Sequence, residues 1–547
     1  MTYKFDDYAV EALLDGVNWE EITRDIITPI ECGYGLSGNG VTDRVAGPGA
    51  LKFGLNNTST NSAGLVGYYS PGHPNCRTGF SIGLQVRLRI QFDSIWRVKW
   101  VGMIPADGIQ VGTGIYARTV TQVTAKDWFE QTSIHELSGL AFTTAKTMAE
   151  TVPLIIANMP IEPPGVETYY ACDSTFPYVF DTTRLRTTAL AEFAKLALSE
   201  MGYIYQTREG LVVEGRFTRT DTTNMVVDIP AHSDDCDTLQ FEDGDYLQLA
   251  ETSMGSEEPL LLDDTYLAEF DNSQRDMEVS YGKNLYNRVT FTAYPRKVDA
   301  LATTVLFNLE SPISLEAGTS AVVKGRYRDP SNKASKVSGR DMVTPAAGSH
   351  FAMYENEDGT GTNLTANMTC TAVFGTGDFE YTIANTGTTD GYVTLLTAVG
   401  RGVYIYDPMD YLVEDSTSQA VTGLNPISVE MKYQSDPVVA AGFANITLGQ
   451  YSNPSYTIEK ADFIANRSTK MLAAALFIEP GNKVRIIEDV SGVEGEYFVQ
   501  HVALSIQVGG LVRFSWMLKE GSLDSYGFWE LGIAGLSEIG VTTILDK

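Results

Sequence analysis

Positive charge is scarce in this chain of 547 residues: 39 Lys and Arg stand against 69 Asp and Glu, a formal net charge of −30. A field of that sign repels nucleic-acid phosphates and favours solubility, which excludes a sequence-specific DNA or RNA binder. Long apolar runs are missing as well, so no transmembrane helix is expected. The opening "MTYKFDDYAVEALLDG" is acidic and lacks a signal-peptide apolar core. The cysteines Cys32, Cys76, Cys172, Cys236 and Cys370 are far apart, odd in number and form no C-x-x-C. That pattern fits buried thiols in a reducing cytoplasm and not a disulfide frame. The 5 histidines are scattered and give no acid/base constellation. No repeat of fixed period is found.

Glycine and strand-forming residues are plentiful. The stretch "GYGLSGNG" holds Gly33, Gly35 and Gly38 at the spacing G-x-G-x-x-G. A phosphate cradle needs a strand before it and a helix at once after it. Here Gly47, Pro48 and Gly49 interrupt any helix, and Leu51, Phe53 and Leu55 then alternate at strand period, which reads as a glycine-rich turn between strands. "GFSIG" around Ser81 matches a nucleophile elbow, yet an alternating strand follows where a helix is required. His73 and Cys76 have two-ligand metal spacing without a second pair. The acidic stretches "EDGD" (242–245) and "ENEDGTGTN" (355–363) offer calcium-type carboxylates but not the twelve-residue loop, and Asp-Gly is also a common hairpin turn. No residue is therefore assigned a catalytic, cofactor-binding or metal-ligating role. No cofactor and no enzymatic activity are expected.

The length suggests about three to five domains. Residues 1–125 read as β-rich: Leu84, Val86, Leu88 and Ile90 alternate with Gln85, Arg87 and Arg89, "WRVKWVGMI" (96–104) is the hairpin partner, and 114–128 is a third run. Residues 126–230 read as an α/β domain. Its helices fall within 143–158 and 184–202, the second capped at Asp181 or Thr182 and stopped by Gly202, and a hairpin follows at 203–217. Residues 231–311 form an acidic, then β-rich connecting segment. The Gly/Thr/Asn/Ser-rich stretch 312–405 reads as an inserted β-sandwich. In 406–520 one helix, with Pro437 at its first turn, precedes strands that run through 455–519. Residues 521–547 form an aromatic, glycine-bearing tail.

Four segments carry a family resemblance by their order and spacing: "LLDGVNWEEITRDI" (13–26), "GPGALKFGLNN" (47–57), "GYYSPGHPN" (67–75) and "FSIGLQVRLRIQF…WRVKWVGMI" (80–104). Together they resemble the minor tail proteins of long-tailed bacteriophages, of the tail-tip or baseplate hub kind. "NRVTFTAYPRKV" (287–298), the "SDPVVAAGFA" helix and "FWELGIAGLSEIG" (528–540) agree more loosely.

The resemblance implies a mainly β (α+β) multidomain chain. Tube-like β-barrel hub domains would occupy 1–125 and 406–520, with the α/β domain outside them and the sandwich as decoration. It implies a homotrimer in the virion tail tip, made in the host cytoplasm, that closes the tail tube and forms part of the DNA-exit channel. The implied partners are the tail tube or distal tail protein, the tape-measure protein, tail fibre or central spike proteins, passing viral DNA without specific binding, and a host-surface receptor. No hydrolase-like cassette is present, so a lysozyme or peptidase activity is not carried over. Two other readings stand beside it. One is a receptor- or glycan-binding tail component acting through Tyr354, Tyr381 and Tyr392 of the sandwich, although such aromatics more often fill cores. The other is a carbohydrate-active enzyme, which needs two catalytic carboxylates in one cleft.

Overall fold

In the strand Gln85–Phe92, Val86, Leu88 and Ile90 are buried while Gln85, Arg87 and Arg89 keep exposure. Period-two patterning of this kind makes the computed structural model mainly β. It describes residues 7–520 except 93, 113–118, 138–139, 141, 181–186, 217, 220–237, 241–245, 249–259, 263–275, 334, 468, 489–490 and 508. The acidic stretch 242–245, the caps Asp181 and Thr182, Cys236 and the tail 521–547 lie outside the described residues.

The main sheet has 14 strands. Along its path lie Asp276–Tyr281, Tyr456–Ile464, Val512–Glu520, Val493–Ile506, Ile30–Gly35, Ala50–Asn56, Val120–Lys126, Ile95–Met103, Gln85–Phe92, Asp7–Ala12 and Glu20–Glu21. The two ends of the chain thus meet inside one sheet: Ile30–Gly35 pairs with Ala50–Asn56 on one side and with Val493–Ile506 on the other. One core serves both ends, holding Val10, Phe53, Leu88 and Trp100 together with Phe477, Val502 and Trp516. Strands from the two stretches expected as barrel-like domains, 1–125 and 406–520, lie side by side in it. The sheet is shared, and among the described residues no pairing closes it into a barrel.

Residues 128–213 form an α/β unit around Phe129, Val152, Phe176, Phe193 and Val213. Its helix Met148–Ile156 starts with a capping box between Thr147 and Glu150. The residues just before it, Thr143–Lys146, are a strand instead of the helix start expected at 143. The helix Ala189–Glu200 is capped by Thr188. Its left-handed terminal residue is Met201, at φ 59°, and not Gly202. Gly202 is glycine for another reason: a Cβ there would collide with the Glu214 carbonyl oxygen of the neighbouring strand.

A small three-stranded sheet, Met409–Glu414, Arg288–Ala293 and Pro426–Met431, packs against the helix Pro437–Tyr451. Pro437 opens that helix, as the sequence suggests, and Asp436 caps it. The sandwich grows out of this unit. Its strands begin at Arg296, ahead of the composition change at 312, because Arg296–Val298 and Thr304–Asn308 pair with the long strand Gly391–Ile405. Its core is its own: Leu306, Tyr327, Phe351, Phe379, Tyr381 and Leu396. Chain entry and exit are adjacent, since the Tyr406 amide donates to the Pro295 carbonyl at 3.1 Å.

Candidate assembly surface

The segments that carry the family resemblance fold onto one another. Buried Asp25, from the first segment, accepts hydrogen bonds from the Ser62 amide at 2.7 Å and from the Tyr69 hydroxyl at 2.6 Å. Asn57, ending the second, accepts from the Tyr69 amide at 2.8 Å. Thr121 donates to the Tyr69 carbonyl at 2.9 Å. Tyr69 is the buried pin of the third segment, and the loop it anchors closes over the core beside Phe80.

A charged node sits where this block meets the rest of the chain. Lys99 is only 1% exposed. The strand pairing shifts by one residue next to it, so Lys99 and Trp100 are both buried although they are consecutive. A β-bulge re-aims a side chain in this way. Lys99 Nζ donates to Glu479 Oε1 at 2.7 Å and to the carbonyls of Ala475 and Leu476 at 3.1 and 3.3 Å. It thereby satisfies the last carbonyls of the helix Thr469–Phe477, where a cation is favoured. The other oxygen of Glu479 accepts from the Tyr34 hydroxyl at 2.7 Å and from the Arg208 amide at 3.2 Å. One carboxylate thus ties the N-terminal strands, the α/β hairpin and the C-terminal helix together. Burial lowers the Lys99 pKa, opposed by Glu479. Burial and then the Glu479 charge push the Tyr34 hydroxyl well up.

The far face of the shared sheet is concave and encloses about 760 Å³. Residues of adjacent strands form a row across it in register: Lys52, Glu31, Ser505 and Arg513. The next row carries small side chains, Ala50, Gly33, Ala503 and Ser515. Glu31 and Asp462 are matched here by Lys52 and Arg513, so this wall is not acidic despite the charge of the chain. At one end of the sheet, Asp276–Tyr281 pairs only with Tyr456–Ile464 among the described residues. There the Tyr281 and Tyr456 rings meet at a tilt, their centres 4.8 Å apart, with 62% and 49% of their surfaces exposed.

No family model matches the sequence, and neither does any curated relative. Among solved structures the chain is similar to the tail protein from Neisseria meningitidis MC58, at 10% identity and TM-score 0.44, covering 94% of this chain and 97% of that one. It is similar also to the 43 kDa tail protein of prophage MuSo2 from Shewanella oneidensis, at 9% identity and TM-score 0.46, covering 94% and 98%. A third is the prophage tail protein gp18 from Listeria monocytogenes EGD-e, at 7% identity and TM-score 0.39, covering 95% and 97%. All three are described as tail proteins.

The motifs singled out in the sequence have structural places. Gly33 and Gly35 lie within the strand Ile30–Gly35, so "GYG" is strand and not turn. Gly35, at φ 112°, leaves room for the Gln500 carbonyl of the crossing strand. Ser81 lies in a turn ahead of Gln85–Phe92, its hydroxyl donating to the Ile82 carbonyl. His73 Nδ1 accepts from the Asn75 amide, and the Cys76 thiol donates to backbone carbonyls. Among the described residues no three His, Cys, Asp or Glu side chains converge for a metal. In the 355–363 loop, Glu355 and Asp358 accept from the amides of Thr362 and Thr360, fixing the turn. Tyr381 is buried and donates to the Thr397 carbonyl, whereas Tyr354 and Tyr392 are half-buried neighbours on paired strands. The node at Glu479 was not singled out from the sequence. Its one sequence signal is Lys99, a charge within a hydrophobic strand pattern.

Proposed function

We propose that this chain is a structural protein of a phage virion, the hub that closes the tail tube at its tip, with three copies arranged around the channel through which DNA leaves. The observation behind this reading is the shared sheet. Both ends of the chain build it, a buried ionic node locks its seam, and it ends in a strand that among the described residues is paired on one side only, beside an exposed tyrosine pair. Unpaired strand edges are templates for pairing with another chain, and ring subunits use them so. In this reading the hub contacts the tail tube or distal tail protein on one side and fibre or spike proteins on the other. It carries no catalysis. Light scattering on the purified chain tests it. The expected mass is three times 59.7 kDa, reduced to that of the monomer by Tyr281→Glu with Tyr456→Glu. A stable monomer, both alone and with the tail tube protein, would contradict it.

A second reading has one observation in its favour: half-buried Tyr354 and Tyr392 lie side by side on the sandwich. As a glycan platform they would bind a host sugar. Loss of that binding in Tyr392→Ala would support this, and an unchanged glycan array signal would end it.

A further inference from the structure

In a chain of net charge −30, one pocket gathers cations. It lies between the hairpin after the helix Ala189–Glu200, the helix Pro437–Tyr451 and the end of the strand Val512–Glu520, and has a cavity of about 80 Å³. One water needs only ~10–15 Å³ on such a measure, so the space fits a single small oxoanion. Arg219, Arg44, Arg216 and Lys519 line it around Tyr203, with Glu520 the one acid among the lining residues.

Each cation is held in place by its own contacts. Arg219 is 6% exposed. Its Nε donates to Glu214 Oε2 at 2.8 Å, and its guanidinium lies 3.7 Å from the centre of the Tyr203 ring. Both of its terminal nitrogens, Nη1 and Nη2, are buried without a hydrogen-bond partner among the described residues. Such groups are costly to leave unpaired. Arg44 donates through Nε to the Val41 carbonyl at 2.9 Å, and its guanidinium lies 4.8 Å from the same ring centre. Lys519 Nζ donates to the Gly40 carbonyl at 2.9 Å. Glu214 is already engaged by Arg219 and by the Tyr205 hydroxyl. The neighbouring Arg216 is engaged by Glu200.

We propose that this pocket binds one tetrahedral oxoanion of the phosphate class, held by the free fork of Arg219 with Arg44 and Lys519. A planar guanidinium with two unused N–H groups matches two phosphate oxygens, and the ammonium adds a point charge. The surrounding charge already acts on Tyr203. Burial raises its pKa, yet Arg44, Lys519 and Arg219 outweigh that and hold it at about 7. A bound anion would offset the same cations that hold Tyr203 ionised and return the proton to the phenol. It would also clip the loop carrying Arg44, the α/β hairpin and the last strand of the shared sheet to one another.

The test uses the full chain and inorganic phosphate. Calorimetric titration at fixed ionic strength should give saturable binding, and thermal unfolding should shift up in phosphate but not in matched chloride. At pH 7.5 the 295 nm phenolate absorbance should fall on saturation. Lys519→Gln, which leaves the Arg219–Glu214 pair intact, should weaken binding at least tenfold, as should Arg219→Met if it folds. A short DNA duplex should not compete, because the pocket is too small for a polymer backbone. Equal effects of phosphate and chloride, unchanged phosphate affinity in Lys519→Gln, or binding of the duplex without binding of phosphate would each overturn the proposal.

Discussion

The shared sheet and the sandwich are both mainly antiparallel β structures, but they are assembled in opposite ways. The sheet takes strands from residues 7–126 and 456–520, with 260–262 and 276–281 between them in sequence, and sets them side by side. Its seam carries a buried ion pair, Lys99 with Glu479 at 2.7 Å. The sandwich is one run of chain from Arg296 to Ile405, with a core of apolar and aromatic side chains and with ion pairs such as Lys324–Glu380 outside that core. Closing the sheet orders several hundred intervening residues, whereas the sandwich closes over local hairpins. The sheet therefore depends on the whole chain, and the sandwich depends on itself. None of the six tryptophans falls within 296–405, so tryptophan fluorescence reports on the body alone.

The largest expected effect breaks the seam. Glu479→Ala leaves Lys99 buried without its counter-charge, which costs about 3–5 kcal/mol. Urea unfolding followed by tryptophan fluorescence should show this loss, while sandwich amides keep their hydrogen-exchange protection. Replacing the pair together, Lys99→Met with Glu479→Leu, should recover much of the stability. If the single variant unfolded body and sandwich in one step, the two regions would not be independent.

Acid should act on the two regions with opposite sign. Burial raises the Asp127 carboxyl to about 7, against the lowering effect of its backbone hydrogen bonds from Gly49 and Phe129. Its folded pKa lies above the unfolded value of about 3.9. The stability it contributes is thus complete below that unfolded value and is lost as pH rises through about 7. Between pH 7 and 5 the body should gain up to about 1.4 kcal/mol per pH unit on acidification. Asp127→Asn, still a competent helix cap, should flatten that slope. Asp299, in the stem of the sandwich, goes the other way. Burial raises its pKa, but hydrogen bonds from Thr304, Tyr404 and the Gly402 amide win and lower it. Its contribution is present above the usual carboxylate range and is lost as pH falls through the lowered value. Fluorescence and tyrosine circular dichroism recorded across pH would separate the two trends. Parallel trends would contradict the assignment.

Removing residues 296–405 should have a smaller effect on the body. Pro295 and Tyr406 are already hydrogen-bonded neighbours, so a short Gly-Ser joint spans the gap. The tryptophan-detected midpoint should move by no more than a few degrees. Loss of cooperative unfolding would show that the contacts of Arg340 with Phe142 and of Arg296 with the Tyr178 and Tyr433 rings matter more than so few contacts suggest. Smallest of all is Lys324→Met. It removes a surface ion pair, and such pairs contribute little, so no resolvable change is expected in either region.

Much of both regions is legible in the sequence where the pattern is local. The alternation at Leu84, Val86, Leu88 and Ile90 is buried as it reads. The hairpin of Tyr203–Gln206 with Leu211–Glu214 turns at "REG". What the sequence hides is set by distance or by departure from period. The helix Thr469–Phe477 lies within a run that reads as strand, because "TKMLAAALF" is apolar on every face and short apolar runs do not separate helix from strand. The union of the chain ends in one sheet has no local mark. The bulge that turns Lys99 inward breaks the alternation on which the strand reading depends. The anion pocket draws Arg44, Arg219 and Lys519 from positions hundreds of residues apart, none of which stands in a motif.

The central claim is that the body formed by both chain ends builds a ring in the virion and that the sandwich projects from it. Electron-microscope class averages of the purified chain, with and without residues 296–405, test this most directly. The account predicts a three-fold ring with an open centre in both samples, and three peripheral densities that vanish in the shortened chain. Isolated monomers, or a shortened chain that loses density from the ring itself, would contradict it.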